Sequence, residues 1–529
     1  MVAGGHAGIK IVDGSASVMP EVTMQQKTKE TFKIQFMKDL KEDLKNRLPL
    51  WVQDWRDGLA PQTVAASLFL YFACLAPAVA FGGLSAALTG GQLGVVEVLM
   101  ATGFGGAAYS FLSGQPMTFI GPTGLTLVFT AALHSFCALR GLPFLPMFSW
   151  VGLWTSGFLA LLSATGASNG IKYCTQFTDD VFNSLLAVNF VYEALRSLWG
   201  NFRAAAAAGA DQTSAFFSLN LALAYYALSR RVTAFRGTRY LSEQLRGVAA
   251  DLGPVAAIFA LSALAHASPI PVATLRVPEG GRAVLAGGRA LLVPLGAVPG
   301  PWRLRAAAPA LLLTTLFYLD MNITVRTVNA PRHRLRKPVA YHQDLGALAV
   351  ITLGLSLCGL PWMCAATVQS LAHVRSMAEF EEGGGEVIAR CRETRLTGLA
   401  VHGGIAASLL LLPVIAQIPM PVISGIFLFL GRRIMTGNGF LGRLKSVWAE
   451  KAKLPEDHPV RAAGRGAALR YTAVQAACLG GLWALKMNPA TALYFPSVIG
   501  VLMGIRIWIL PHLFSEEELK ALDSSVGEG

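Results

Sequence analysis

Apolar runs of about 20 residues recur along this chain, long enough for a helix to cross a hydrocarbon core of roughly 30 Å. The pattern predicts spans near Pro61–Gly83, Gly91–Leu112, Thr123–Phe136, Phe144–Leu162, Asp179–Leu198, Gln212–Ser229 and Leu245–Ala265. A second set is expected near Ala306–Val325, Asp344–Leu360, Ala365–Met377, Leu396–Ala416, Pro421–Met435, Tyr471–Leu485 and Pro489–Leu510. Lipid offers the backbone no water, so each run must be helical or shielded by protein. The third span of each set is short and interrupted, by Gly121-Pro122-Thr123-Gly124 and by Gly359-Leu360-Pro361-Trp362. An odd number of spans per half makes the second half enter from the opposite side. The expected fold is therefore an all-α polytopic membrane protein of about fourteen transmembrane segments in two inverted seven-helix repeats.

Polar stretches set the boundaries of this organisation. Residues 1–30 read as a disordered cytoplasmic tail and 31–48 as an amphipathic interfacial helix, with Phe32, Phe36, Leu40, Leu44 and Leu48 every four residues and Pro49 as its stop. The first repeat is expected over 49–266, a connector over 267–305, the second repeat over 306–510, and a cytoplasmic tail over 511–529. Arg230, Arg231, Arg236, Arg239 and Arg246 fall on one side of this threading, with Arg326 to Lys337, Arg432, Arg433, Arg443, Lys445, Lys451 and Lys453. Apart from Arg276 to Arg305, the connectors of the other side are poorer in cations. That places both termini in the cytoplasm.

Paired interrupted spans point to a midplane binding site. A half-helix that begins inside the membrane presents free N–H groups and the positive end of its dipole, which attract a small anion without a charged side chain. One such end is assigned to Gly121, Thr123 and Gly124, with Pro122 at the first turn. The other is assigned to Ala366, Thr367, Val368 and Gln369. Asp320 ends the apolar run Leu311 to Leu319, where a carboxylate is expensive and faces a cavity or partner. Thr324 lies one turn on, on the same face. Carboxylate plus hydroxyl suits sodium or a proton; a pairing of Asp320 with Arg326 is the alternative. Asn322-Ile323-Thr324 matches a glycosylation sequon, weakened by its membrane depth.

Composition sharpens the picture. Only 14% of residues are charged, against about 25% in typical soluble domains. The net charge of +13 reads as topology signals in connectors and not as a nucleic-acid surface. Seven cysteines show neither metal spacing nor a disulfide framework. No cleavable signal peptide is expected, so the first span directs insertion. Asp179, Asp180 and Asp344 sit near span ends and are expected to be solvated, and His134, His342, His373 and His402 have no metal-ligand spacing. No nucleophile elbow, phosphate loop or zinc motif argues for an enzyme or a cofactor.

At these residues the chain resembles the bicarbonate transporter family, solute carrier family 4, which spans anion exchangers, sodium bicarbonate cotransporters and borate transporters. The resemblance runs from Asp39 to Asp523. It rests on Asp54-Trp55-Arg56-Asp57, Phe81-Gly82-Gly83-Leu84, Gly114-Gln115-Pro116, Thr123-Gly124, Phe177-Thr178-Asp179-Asp180 and Val191-Tyr192-Glu193. Asp320-Met321-Asn322-Ile323-Thr324, Leu360-Pro361-Trp362, Ala365-Ala366-Thr367-Val368 and Ile418-Pro419-Met420-Pro421-Val422 complete it. It implies core and gate domains, a homodimer, and an anion site between the third and tenth helices beside the acid of the eighth. Sodium-coupled members carry Asp there, as here. Sodium-independent exchangers carry Arg in the tenth helix where this chain has Gln369, while Gln369-Ser370 with His373 is similar to the borate branch. The large N-terminal domain of animal members is not expected, and Ser197-Leu198-Trp199-Gly200 replaces the stilbene-reactive lysine stretch.

The preferred reading is sodium-coupled transport of bicarbonate or carbonate through a lipid bilayer, at the plasma membrane in preference to an organelle. Sodium-independent bicarbonate/chloride exchange, borate efflux and a membrane anchor or scaffold are the alternatives. An inert anchor would gain stability from an apolar residue at Asp320.

Overall fold

The computed structural model describes residues 36–169, 175–209, 211–275, 277, 283–380, 388–436, 438–449, 458–488, 491 and 498–523. The tail assigned to 1–30, the start of the interfacial helix with Phe32, Arg276, Lys451, Lys453, most of 489–497 and the end of the last tail lie outside the described residues.

Helices dominate. α1 (Lys38–Arg47) and α2 (Trp51–Arg56) precede α3 (Pro61–Leu88), α4 (Val95–Leu112), α5 (Gly124–Arg140), α6 (Phe144–Ala164), α7 (Gln176–Ala207), α8 (Thr213–Ala234) and α9 (Glu243–Ala267). After the connector come α10 (Ala307–Val328), α11 (Tyr341–Leu357), α12 (Thr367–Ser376), α13 (Leu396–Ile415), α14 (Met420–Met435), α15 (Gly439–Ser446), α16 (Pro459–Ala463) and α17 (Arg465–Met487). α18 (Val498–Gly504) continues through a π-type turn to Leu513. Among the described residues, five helices are long and apolar enough to cross a membrane: Pro61–Leu88, Val95–Leu112, Phe144–Ala164, Gly300–Val328 and Leu396–Ile415.

Two groups of helices pack together. In one, α6 lies against α10 and α11, and α3 against α4 and α13. In the other, α14 lies against α7 and α8, and α8 against α9. Small residues let these backbones approach. A Cβ added to Gly103 would sit 2.8 Å from the backbone nitrogen of Ala406, so a side chain there would force α4 and α13 apart.

The α-helix of α1 ends at Arg47, just before Pro49, as the proline predicts. Pro49 sits in a 3-10 turn, Leu48–Leu50, where a proline early in a helical turn loses little, and α2 follows directly. Yet α1 is not a free surface helix. The Asp43 carboxylate accepts the backbone N–H groups of His342 (2.8 Å) and Gln343 (3.2 Å), capping the start of α11. Phe36 and Leu48 stay exposed, while Arg47 is buried.

Of the carboxylates expected to be solvated, Asp180 and Asp344 are buried and Asp179 is half-buried. Asp344 is fully buried and accepts from Tyr109 Oη (2.9 Å), Gly114 N (2.9 Å) and Gln115 N (3.0 Å). Asp180, also buried, accepts from Arg443 at 2.6 Å and from Gly439 N at 2.8 Å. Beyond the helix ends, Glu393 accepts the backbone N–H groups of Arg336 and Lys337, and burial raises its carboxyl above the usual range. The described cysteines are free.

Candidate substrate site between two half-helices

The two interrupted segments meet. Residues before α5 form β1 (Ile120–Gly121), residues before α12 form β2 (Cys364–Ala365), and the two pair antiparallel with Ile120 opposite Ala365 and Gly121 opposite Cys364. The pairing has a physical cause: extended backbone at membrane depth needs partners within the protein. Ala366 N donates to Phe119 O at 2.8 Å, and Phe119 N donates to Ser370 Oγ at 2.9 Å. Upstream, Asp344 holds Gly114 and Gln115. Trp362 stacks on Phe148 with ring centroids 3.6 Å apart and donates to Ser356 Oγ at 3.0 Å.

Both half-helices therefore start beside one another. Thr123 caps α5 with its hydroxyl, which accepts from Thr126 N, while Ala366 occupies the cap position of α12 without a side-chain cap. A small cavity at this junction is lined by Cys74, Pro77, Thr102, Phe119, Ile120, Gly121, Pro122, Ala366 and Gln369. Gly121, Ala366 and Gln369 of the predicted set thus share one space. Cys74, Pro77, Thr102 and Phe119 were not foreseen; nothing in their local pattern separates them from packing residues. The Ser370 hydroxyl, beside Gln369 in the sequence, joins the two segments.

Asp320, Thr324 and Thr367 form a neighbouring group. Thr324 is fully buried, and its Oγ1 lies 2.6 Å from Thr367 Oγ1, a hydrogen bond joining α10 to the first turn of α12. Asp320, half-buried one turn earlier, lies against the Cys364 thiol of β2. Arg326 does not pair with it: this guanidinium donates to Ser168 O at 3.1 Å and covers the Tyr341 ring at 4.2 Å. Asn322 is 2% exposed and donates to Tyr318 O, so its sequon is inaccessible to glycosylation.

Two predicted residues play other parts. Val368 is 42% exposed, turned away from the cavity its neighbours line. Gly124 is a packing position, since a Cβ there would lie 2.5 Å from Phe190 Cζ of α7. His373 sits behind the site, its ring tilted against Phe119 with centroids 4.5 Å apart. Its ring nitrogens face Met117 O (3.1 Å) and the Thr397 hydroxyl. Among the described residues no three His, Cys, Asp or Glu side chains gather as a metal site.

Two helix starts, a hydroxyl pair and the Asp320 carboxylate can hold a small anion beside a hard cation. The Thr324–Thr367 bond gives a first test. Thr324→Val keeps the shape and removes one oxygen, a change of about 1 kcal/mol or about fivefold in affinity. Were a hard cation to bind beside this pair, its affinity should fall by that factor, with little change for a small anion at the helix starts. Equal shifts in both would assign Thr324 to packing alone.

The integral membrane domain described as HCO3- transporter matches residues 35–215 and 201–527. The human sodium-driven chloride bicarbonate exchanger is 31% identical over 92% of this chain and 50% of its own length. Human anion exchange protein 4 is 32% identical over 92% of this chain and 56% of its own, so the chain spans about half the length of these relatives. Among solved structures, the transmembrane domain of the cyanobacterial bicarbonate transporter BicA has a TM-score of 0.55 at 15% identity, covering 84% of this chain and 96% of that one. Murine Slc26a9, an anion transporter in the inward-facing state, has a TM-score of 0.59 at 12% identity, covering 96% and 77%. These two likenesses concern the fold. Two overlapping matches spanning nearly the whole chain make it a multi-pass membrane protein of the bicarbonate transporter family.

Proposed function

We propose that this chain couples sodium to the movement of bicarbonate or carbonate, with the anion between the starts of α5 and α12 and sodium beside Asp320 and Thr324. One observation carries the reading: the Asp320 carboxylate and a threonine pair meet a half-helix whose next polar residue, Gln369, is uncharged. With no fixed cation at that position, Asp320 is free to attract a transported one. The names of the relatives, sodium-driven and electroneutral sodium bicarbonate exchangers among them, support the same coupling. In this reading the fourteen spans form two inverted repeats. The α3–α6 and α10–α13 group is the core, and the group around α7, α8, α9 and α14 is the gate. The protein works as a homodimer in the plasma membrane with both termini cytoplasmic.

The test is bicarbonate flux in vesicles across a sodium titration, with chloride and borate varied separately. Flux should rise with sodium and saturate. Gln369→Arg should place a fixed cation near Asp320 and reduce sodium dependence at least about tenfold, leaving anion exchange. Wild-type flux indifferent to sodium would make sodium-independent exchange the better description, and flux that requires borate would make it borate efflux.

A further inference from the structure

The wall of the cavity between the half-helices is held from behind by a side chain that does not line it. Thr102 and Phe119 face the cavity, and both rest on His402 of α13. Thr102 belongs to the π-type turn of α4, Ala101–Gly105, an irregularity frequent at functional sites. Its carbonyl takes Gly106 N–H and, with its second lone pair, accepts from His402 Nδ1 at 2.9 Å. A carbonyl can only accept, so Nδ1 carries the proton. Glycine makes the approach possible, because a Cβ on Gly106 would overlap the His402 ring.

The same imidazole meets Phe119. The two rings stand edge to face, with centroids 5.3 Å apart and 73° between their planes. The Phe119 backbone is already pinned by Ser370 and Ala366, so the rings packed against its side chain decide where that side chain stands. Thr102 reaches further: its hydroxyl donates to Val98 O at 2.7 Å and lies 3.7 Å from Met363 Sδ, in the segment leading to β2. Packing alone does not ask for an imidazole here. α13 is otherwise built mostly from Leu, Val, Ile, Ala and Gly, and His402 is 1% exposed, so its polar ring is buried at a desolvation cost.

We propose that His402 sets which anions the cavity accepts. By holding Thr102 and the Phe119 ring in place, it limits the cavity to oxyanions the size of bicarbonate and excludes tetrahedral ones the size of sulfate. His402 is a positioning residue, since it touches the wall and not the anion. The inference rests on the anion position proposed above.

The experiment uses the full chain in neutral detergent and in vesicles. Thermal stabilisation by bicarbonate, nitrate and sulfate at one pH and ionic strength gives an apparent affinity for each. Anion flux at saturating sodium gives KM and the maximal rate. Wild type should respond to bicarbonate and nitrate, and at least about tenfold more weakly to sulfate. His402→Ala loses one hydrogen bond and one aromatic edge, and should weaken bicarbonate about tenfold while sulfate gains on it. His402→Asn places an amide N–H near the position of Nδ1 and should recover most of the bicarbonate affinity. The maximal rate per folded protein should stay within about twofold in both. Selectivity is compared between variants, so the different charges of the anions cancel.

A merely structural role would lower the yield of folded protein and scale all anions together, leaving KM and their ranking unchanged. That outcome, or an Asn variant no better than Ala, would overturn the proposal. If the Ala protein does not fold, the Asn protein decides alone. Its donor is kept and the ring contact is gone, so sulfate should gain about threefold on bicarbonate, and an unchanged ranking overturns the proposal. Wild type that accepts sulfate as well as bicarbonate would also overturn it, while leaving the transport reading intact. Wild type that binds and ranks these anions but moves none would count against the transport reading and leave the role of His402 standing.

Discussion

Asp320→Asn should abolish sodium-dependent bicarbonate uptake while the protein still folds and reaches the membrane. The substitution keeps the size and planarity of the side chain, so the packing of α10 against α6 and β2 is retained. What it removes is a full negative charge beside Thr324 and Thr367. At an effective dielectric of about 20, a carboxylate 4 Å from a monovalent cation contributes about 4 kcal/mol, or about a thousandfold in affinity. Sodium at ordinary concentrations would then leave the site empty. Asp320→Glu keeps the charge but lengthens the chain, and should retain sodium dependence with a raised KM. The decisive comparison is initial flux at several sodium concentrations, normalised to protein in the membrane. A sodium response in Asp320→Asn matching wild type would remove this carboxylate from the mechanism, whatever the other variants do.

The junction of the two half-helices was legible because its cause is local. Gly121-Pro122 interrupts one apolar run and Gly359-Leu360-Pro361 the other, and backbone that leaves a helix inside a membrane must find a partner within the protein. The two breaks are natural partners for each other, and β1 pairs with β2. The bond between Thr324 and Thr367 followed less directly. Periodicity puts Thr324 on the face of Asp320, but nothing local says that Thr367 will meet it. The same helical arithmetic could have excluded Val368, which lies about 100° round the axis from Thr367. The carboxylates at span ends were misread for a different reason. Proximity to a span end suggests water, yet Asp344 replaces water with Tyr109 and two backbone N–H groups of the segment leading to β1. Asp180 does so with Arg443, 263 residues away. Such partners come from elements distant in the chain, so their signal is absent from any short stretch. Gly124 was read as a ligand position because it borders the break, and its neighbour Phe190 comes from another helix altogether.

Long-range pairing of this kind also predicts where the fold is most fragile. Asp54, fully buried in α2, accepts from three cations: Arg395 Nε at 2.9 Å, Arg47 Nη2 at 3.1 Å and Lys337 Nζ at 2.6 Å. Through it the end of α1, the segment before α11 and the start of α13 are tied together, and Arg395 extends the tie to Ser110 O of α4 at 3.0 Å. Arg47 and Arg395 are each 1% exposed, and both already hold guanidinium N–H groups with no partner within the protein. Asp54→Ala would leave two buried guanidinium groups without a counter-charge, and breaking a buried pair in this way costs about 3–5 kcal/mol. Against a typical total of about 5–15 kcal/mol, that is a large share of what holds a domain together. Asp57 provides the internal comparison. It accepts from the same Lys337 at 2.8 Å but is 34% exposed, so Asp57→Asn should change stability by about 1 kcal/mol or less. The measurement is the thermal transition of each protein in detergent, alongside its yield in the membrane. Asp54→Ala is expected to give little folded protein or a strongly lowered transition, and Asp57→Asn one close to wild type. Equal transitions for the two variants would show that the Asp54 cluster contributes no more than a surface pair.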